Sequence, residues 1–587
     1  MYRNKTQHVN QPQRRLRLAI LAGLIATGTS TGALAAQFAT SPDWAVNWDN
    51  TVTYNLGTRA SSIDPLIANN PKSDEGDYKF KSAGDVVTDR LSLLSEFSVV
   101  YQDHIGFKLS GSAWKDFAYD STDQSNPGII APAHGPLPAV TYQSTRSYPN
   151  GQYSGYTYKY YEQGGQLLDA FVFDNTDING MPLYLKAGQF TEYWGNSLFS
   201  PYQGISVAQG GLDLIKALSS PGTQTKELLL PRPQISVTAQ ITPTVSLSGQ
   251  YDFAWDANRI PTGGTFLGPY DPLATGPTSL YAAALPSALL GLPPGGYIPI
   301  NVTQGKANTP SDINSNFGLK LNWTPSFLNG DMGFYYRRFD ATQPWVLSDF
   351  NKLGLPTDYH LSYDQGTQLF GYSLDTTFGS VSTGFEASYQ RNTALNSSPS
   401  AKVPNEPEGA KGNVLNLIAN AIVPLSHTAL WDTGTVVAEL SYTQLLSISQ
   451  NELLYNGVGY AGCPTDDKWD GCSTKHYAGL TVSFNPQWLQ VYPGVDLSMP
   501  ISDTFGLYGN NALNGPQPTE QGTENYSVGL SALIHAKTTV TLAYNGYWGR
   551  VNSTAKTPSG LVYDATGNGL FALDDRQWFS LTIQTSF

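Results

Sequence analysis

Apolar and polar side chains alternate over the last nine residues, Phe579-Ser580-Leu581-Thr582-Ile583-Gln584-Thr585-Ser586-Phe587. Phe579, Leu581, Ile583 and Phe587 share one face, with Thr585 among them, and Ser580, Thr582, Gln584 and Ser586 share the other. A period of two predicts a strand with one greasy and one wet side. A soluble sandwich strand shows the same alternation. A strand that stops on an aromatic at the final residue fits better the closing strand of an outer-membrane barrel, where Phe579, Leu581, Ile583 and Phe587 would form the assembly signal. The pattern recurs inside the chain. Phe317, Leu319, Leu321 and Trp323 alternate with Asn316, Lys320 and Asn322. Val245, Leu247, Tyr251 and Phe253 alternate with Ser246, Ser248, Gln250 and Asp252.

Eighteen such stretches are predicted, at 44–58, 88–101, 106–118, 165–175, 183–195, 225–240, 245–259, 312–324, 331–341, 365–378, 381–395, 413–426, 433–450, 475–486, 491–503, 524–535, 538–550 and 576–587. Short turns rich in Gly, Pro, Asn and Asp, such as Asn179-Gly180 and Gly379-Ser380, join them in pairs, with one such turn expected from Pro486 to Gln490. Long loops separate the pairs. Strict alternation of long and short connections, with an even strand number, is the pattern of a transmembrane antiparallel β-barrel with long external loops, short periplasmic turns and both termini periplasmic. The reading is an all-β chain of about 18 strands, within a range of 16 to 20. The apolar face then meets lipid and the polar face lines a lumen. A Lys or Arg at the bilayer midplane costs about 2–4 kcal/mol, so Lys320, Glu386 and Asp252 are expected to point inward.

The opposite end agrees with export. Residues 1–35 carry Arg3, Lys5, Arg14, Arg15 and Arg17 without an acid, then an apolar run and the small-x-small end Ala33-Leu34-Ala35. This predicts a signal peptide over 1–35 and one barrel domain over 36–587, located in the outer membrane of a Gram-negative bacterium. Charged residues are only 13% of the chain and aromatics 12%, which suits a barrel. Without residues 1–35 the formal charge is (33 − 5) − 46 = −18. That argues against a nucleic-acid partner, whose phosphates demand a basic stripe.

Several runs resemble a known family. They are Leu167-Leu168-Asp169-Ala170-Phe171-Val172, Met181-Pro182-Leu183-Tyr184-Leu185-Lys186-Ala187-Gly188-Gln189, Tyr193-Trp194-Gly195-Asn196-Ser197, Pro221-Gly222 with Lys226-Glu227-Leu228-Leu229-Leu230-Pro231, and Asp575-Arg576-Gln577-Trp578-Phe579-Ser580-Leu581. They are similar to the domain of unknown function 1302 family of Gram-negative outer-membrane barrel proteins. The family pattern reads Gly-Arg-Gln where this chain has Gly188-Gln189-Phe190, so one basic side chain is missing here. The resemblance implies a barrel in outer-membrane lipid, assembled by the barrel assembly machinery. It also implies a periplasmic lipoprotein-carrier-like protein and an efflux-type inner-membrane transporter as partners, and passage of a lipid or another hydrophobic compound.

Three loops, 119–163, 196–224 and 260–311, are expected at the mouth. The third contains an almost wholly apolar run from Leu280 to Pro294, unusual where water is the neighbour. Leu280, Tyr281, Leu285, Leu289, Leu290 and Leu292 are the candidates for a gate or plug. The alternative is an apolar cap on neighbouring loops. In the second loop, Leu212, Ile215 and Leu218 recur at helical spacing and predict a short helix that either constricts the mouth or packs as ordinary loop. Cys463 and Cys472, the only cysteines, lie in one loop of an exported chain and predict a disulfide.

Lumen-lining candidates are Arg90, Lys108, Lys186 and Lys320 against Glu96, Asp252, Asp375, Glu386 and Glu439. Such a mixed set either forms a transverse field or pairs off to fill the interior, and pairing is preferred. Asp74-Glu75-Gly76-Asp77 reads as a solvated acidic loop rather than a divalent-ion site. Gly457-Val458-Gly459-Tyr460-Ala461-Gly462 matches a dinucleotide fingerprint but has no helix after it. No catalytic motif, cofactor or metal-ligand set is recognisable, and no enzymatic activity is expected. The leading expectation is a channel for a small hydrophobic or amphipathic compound. The alternatives are a general polar-solute porin, a barrel hydrolase, and a structural or adhesive barrel.

Overall fold

The computed structural model describes residues 43–271, 275–311, 316–398, 403, 405–515 and 520–587. The signal-peptide expectation at 1–35, and the start of the strand expected at 312–324, fall outside them. The wall begins with β1 (Trp44–Arg59), β2 (Val86–Tyr101), β3 (Ile105–Asp116), β4 (Gln163–Ile178), β5 (Met181–Phe190) and β6 (Arg232–Thr242). It continues through β7 (Val245–Asp252), β8 (Phe317–Trp323), β9 (Gly330–Phe339), β10 (Thr367–Phe378), β11 (Val381–Ala394) and β12 (Lys411–Leu425). It ends with β13 (Thr433–Gln450), β14 (His476–Tyr492), β15 (Val495–Ser498 with Ile501–Tyr508), β16 (Glu524–Ile534), β17 (Thr538–Trp548) and β18 (Trp578–Ser586). The sheet has 19 hydrogen-bonded segments, two of which are the halves of β15, so 19 − 1 = 18 strands.

Each strand pairs antiparallel with the next. β18 then returns to β1, from Thr51 opposite Ser586 to Arg59 opposite Trp578. Asn50 and Phe587 exchange both backbone hydrogen bonds at 2.9 Å, so the ladder runs to the last residue. Closure leaves no unpaired edge, which hydrocarbon would not tolerate. The alternation of side chains follows the expected faces. On β18, Phe579 is exposed on the outer wall while Trp578, Ser580 and Thr582 are buried inside. Leu247, Leu319, Leu530 and Leu542 are exposed on the outer wall, and Gln250, Asp252, Glu386, Glu439 and Ser531 are buried on the inner one.

Four boundaries differ from expectation for physical reasons. β14 does not turn at Pro486 to Gln490. It runs on to Tyr492 and turns at Pro493-Gly494, because Pro486 uses its carbonyl to accept from Met499 (3.0 Å). Pro500 interrupts β15 in the same way, having no N–H to give. The strand expected from 225 starts only at Arg232, since Thr225–Leu228 is a helical turn and Pro231 cannot donate to a ladder. β5 and β7 stop at Phe190 and Asp252, where the chain leaves the wall.

The long loops do not hang free. Phe80, Tyr119, Tyr148, Tyr153, Tyr161, Phe266, Leu267 and Leu573, from four different loops, pack with Val87, Tyr547 and Trp578 of the wall in one buried cluster. Arg59 at the end of β1 ties this cap by pairing with Asp77 (3.0 Å) and Asp575 (2.7 Å), and Arg576 pairs with Asp77 (3.2 Å). The acidic stretch is therefore not solvated: Asp74, Glu75 and Asp77 are buried in the cap, where loop donors and two arginines satisfy most of their oxygens. Cys463 and Cys472 are disulfide-bonded.

The outward assignment of β16 is directly testable. Leu530→Arg places a guanidinium in the lipid band, with an expected loss of about 2–4 kcal/mol in urea unfolding from lipid vesicles. An unchanged midpoint and slope would contradict the orientation.

Candidate functional site

The connection between β5 and β6, residues 191–231, folds into the barrel. Its first half is held by the wall at β9 to β13. The Glu386 carboxylate on β11 accepts the backbone N–H groups of Asn196, of Ser197 (2.6 Å) and of Ile205 (2.8 Å). Glu439 on β13 accepts those of Leu198 (2.6 Å) and Phe199 (2.9 Å). Arg337 on β9 donates to the carbonyls of Ile205 (2.7 Å) and Val207 (2.6 Å). Arg232 donates to the Ala208 carbonyl (3.3 Å) and pairs with Asp252 (2.9 Å). Gly195 makes this approach possible. Its φ of +94° is in the left-handed region, and a Cβ there would lie 2.3 Å from Glu386 Oε1. Gly371 on β10 similarly leaves room for Ile205.

The second half crosses to the other wall. A short helix, Leu214–Ser219, is capped by the Asp213 carboxylate, which accepts from Lys216 N (2.9 Å). Asp213 also pairs with Arg259 (2.8 Å). Lys216 pairs with Glu227 (3.6 Å) and lies over the Trp114 ring (4.6 Å). Gln584 of β18 donates to the Gly222 carbonyl (3.1 Å), and Lys226 pairs with Glu96 of β2. β2 and β11 are 11 − 2 = 9 strands apart in a ring of 18, so the loop spans the barrel diameter. Where it meets the wall it leaves a cavity of about 30 Å³ beside Glu192, Tyr202, Gln209 and Leu229. A second, of about 10 Å³, lies beside Arg90, Trp114 and Lys216. These gaps are on the scale of single waters.

The expected lumen charges are thus placed as follows. Glu96 and Lys108 pair (3.0 Å), and Lys108 also pairs with Asp169 (3.0 Å). Arg90 is buried over Trp114 (5.0 Å). Asp252, Glu386 and Glu439 hold the loop or its anchors. Asp375 faces Asp331 across the ladder. Lys186 and Lys320 are in no ion pair among the described residues; Lys186 lies over Phe171 and Phe190, and Lys320 over Tyr335.

Sequence reasoning missed Arg232, Arg337, Lys216 and Lys226. The first two sit at inward positions of their strands, which strand parity would have flagged. It also missed Tyr193, Leu198 and Phe199, large apolar side chains that the inserted loop leaves 42–44% exposed.

The apolar segment of loop 260–311 lies elsewhere. Ser279–Pro286 and Tyr297–Gln304 form a hairpin in a separate four-stranded sheet with Pro356–Ser362 and Trp345–Phe350. Tyr281 packs on Ile130, Ala131, Val140 and Tyr142 of the loop 117–162. Leu280, Leu285 and Leu290 are half-buried, Leu292 is exposed, and Leu289 at the tip is 71% exposed.

A closed antiparallel sheet with an apolar exterior, a polar interior and a loop inserted across it defines a transmembrane β-barrel with an internal constriction. The model of the family described as protein of unknown function DUF1302 matches residues 16–587, and the chain belongs to that family. No curated protein matches the sequence. Among solved structures, the chain is similar to the outer membrane channel DcaP of Acinetobacter baumannii, with TM-score 0.34 and 10% identity over 94% of this chain and 100% of that one. It is also similar to the outer membrane protein OpdK of Pseudomonas aeruginosa (0.38, 9%, 92% and 98%). OccAB1 of Acinetobacter baumannii is a third (0.37, 8%, 95% and 99%).

Two outcomes test this description. Glu386→Ala strands the N–H groups of Asn196, Ser197 and Ile205, each costing about 1–3 kcal/mol when buried and unpaired. The loop should detach while the barrel stays folded, read as a larger and noisier conductance in planar bilayers with unchanged heat-modifiable mobility. In the cap, burial pushes Asp123 and Asp271 up to about 7. Their packing is at full strength below about pH 4, where the carboxyls are neutral in folded and unfolded loops alike. It weakens as the pH rises to about 7. Hydrogen-exchange protection of the amides of 118–162, corrected for intrinsic rate, should fall from pH 5 to pH 8, and Asp123→Asn should flatten that slope.

Proposed function

We propose that this protein is an outer-membrane channel that passes a small hydrophobic or amphipathic compound past the loop 191–231. The observation that carries the reading is the exposure of Tyr193, Leu198 and Phe199 on a loop inserted in a polar barrel. A loop meant only to fill the lumen would bury such side chains, because leaving them wet forgoes about 25 cal/mol per Å² of apolar surface. A loop meant to select polar solutes would present charge, yet here Glu386, Glu439, Arg337 and Arg232 are spent on the loop backbone, and Arg232 also on Asp252. The short turns face the periplasm in this reading, and the loops face outward. Residues 119–163 and 260–311, with the apolar hairpin at 279–304, lie at the mouth in this reading, and the segment 196–224 is the constriction itself. A periplasmic carrier and an inner-membrane transporter would continue the route.

Planar-bilayer recordings of the wild type, of a deletion of 278–296 and of a shortened 196–209 loop test this reading, alongside flux of a small apolar probe into vesicles. The expected result is low wild-type conductance, little change on removing 278–296, and a several-fold increase on shortening 196–209. A large conductance in all three, with fast sugar flux, would favour the porin alternative.

A further inference from the structure

Lys186 on β5 is unusual among the inward-facing cations. Lys108, Lys216, Lys226 and Arg232 each have a carboxylate partner within 4.0 Å. Lys186 has none among the described residues. Its ammonium lies instead 4.2 Å from the centroid of Phe171 and 4.1 Å from that of Phe190, and the two rings are 5.6 Å apart. Cation–π contacts offset part of the charge but use none of the three N–H donors of an ammonium. Phe173, opposite Lys186 in the ladder, extends the ring surface to Tyr184 (6.3 Å), which is exposed.

The position matters as much as the chemistry. Lys186 pairs with Ser236, which pairs with Gln250, and Gln250 binds Gln209 of the inserted loop (2.9 Å). The lysine therefore stands in the cross-strand row where the loop is fastened. Lys320, also without an ion pair among the described residues, lies one row nearer the turns. The carboxylate acting on both lysines is Glu192, which accepts from the Trp194 indole (3.2 Å). Asp169 also acts on Lys186 but is held by Lys108, while Asp331 and Asp375 act on Lys320 alone. Lys108 and Asp169 pair off and Lys320 has Asp331 and Asp375 beside it, so what sets Lys186 apart is an ammonium in no ion pair among the described residues beside a ring surface.

We infer that Lys186 and the rings of Phe171, Phe173 and Tyr184 form a binding subsite for an amphipathic anion, with its carboxylate-type head on the ammonium and its apolar tail along the rings, while the fully buried Phe190 positions the lysine from behind. This rests on the proposed passage of an amphipathic compound and adds the charge of its head.

The test uses ¹⁹F NMR on the full protein in lipid nanodiscs, with empty nanodiscs subtracted. The probes are ω-trifluorohexanoate and its neutral counterpart ω-trifluorohexanol. The anion should bind the wild type about tenfold or more tightly than the alcohol, the scale of a hydrogen bond to a charged group. Lys186→Gln should abolish that preference and Lys186→Arg should restore it, with all three proteins equally heat-modifiable. Equal binding of both probes to the wild type, or an undiminished preference in Lys186→Gln, overturns the subsite. Vesicle flux separates this from the broader reading. Both probes crossing with no charge preference would sink the subsite and leave passage standing. Charge-selective, Lys186-dependent binding without flux would keep the subsite and sink passage.

Discussion

Everything in this molecule depends on a ladder that cannot end inside hydrocarbon. Lipid offers no hydrogen bonds, so each backbone N–H and C=O at that depth must find a partner in the protein. A sheet meets the demand only by closing, and closure here is the pairing of β18 with β1 from Thr51 to Arg59. Once the ring is closed, strand parity assigns every side chain to lipid or lumen. The prolines at 486 and 500 show how tight the constraint is. They are accommodated near the turns, where their carbonyls still accept from Met499 and Gly529, and neither opens a gap in the register.

The same demand shapes the lumen. A loop drawn into a barrel brings unpaired backbone with it, and buried amides without partners are costly. The wall supplies fixed acceptors and donors where the loop arrives. Glu386 and Glu439 take five loop N–H groups between them, and Arg337 takes two carbonyls. A lone buried carboxylate would be expensive, and so would a lone buried amide; placed together they satisfy each other. The charges of the inner wall that hold the loop are therefore structural, and Glu386 and Glu439 do so by binding backbone amides rather than by ion pairing. They hold a constriction whose exposed surface, at Tyr193, Leu198 and Phe199, is apolar.

The wall was legible because period-two alternation and the long-short rhythm of connections are local signals. The strand number and the inward set of Lys320, Glu386 and Asp252 follow from them. The family resemblance was legible in the same strands and agrees with the family match. Roles were less legible. Nothing about Glu386 in sequence says that it binds backbone from residues some 180–190 positions earlier, because a hydrogen bond to a main-chain amide leaves no complementary side chain to notice. The acidic run at 74–77 looked solvated because its partners, Arg59, Arg576, Asn126 and Ser147, are distant in sequence. The apolar run at 280–294 drew attention for its composition. It packs in a separate sheet, while the loop that crosses the lumen is of ordinary composition.

That division of labour explains which charges remain for a solute. A cation committed to a carboxylate or a carbonyl has fixed geometry and spent donors, and a passing molecule gains little by approaching it. Arg232, Arg337, Lys108, Lys216 and Lys226 are all committed in this way. Among the described residues Lys186 is in no ion pair and lies against ring faces, which fix its position without consuming its donors. Phe190 packs on Phe171, so the two rings clamp an ammonium that is in no ion pair among the described residues. If the barrel passes an amphipathic anion as proposed, its selectivity at this point depends less on how many charges line it than on which of them the fold has left unspent.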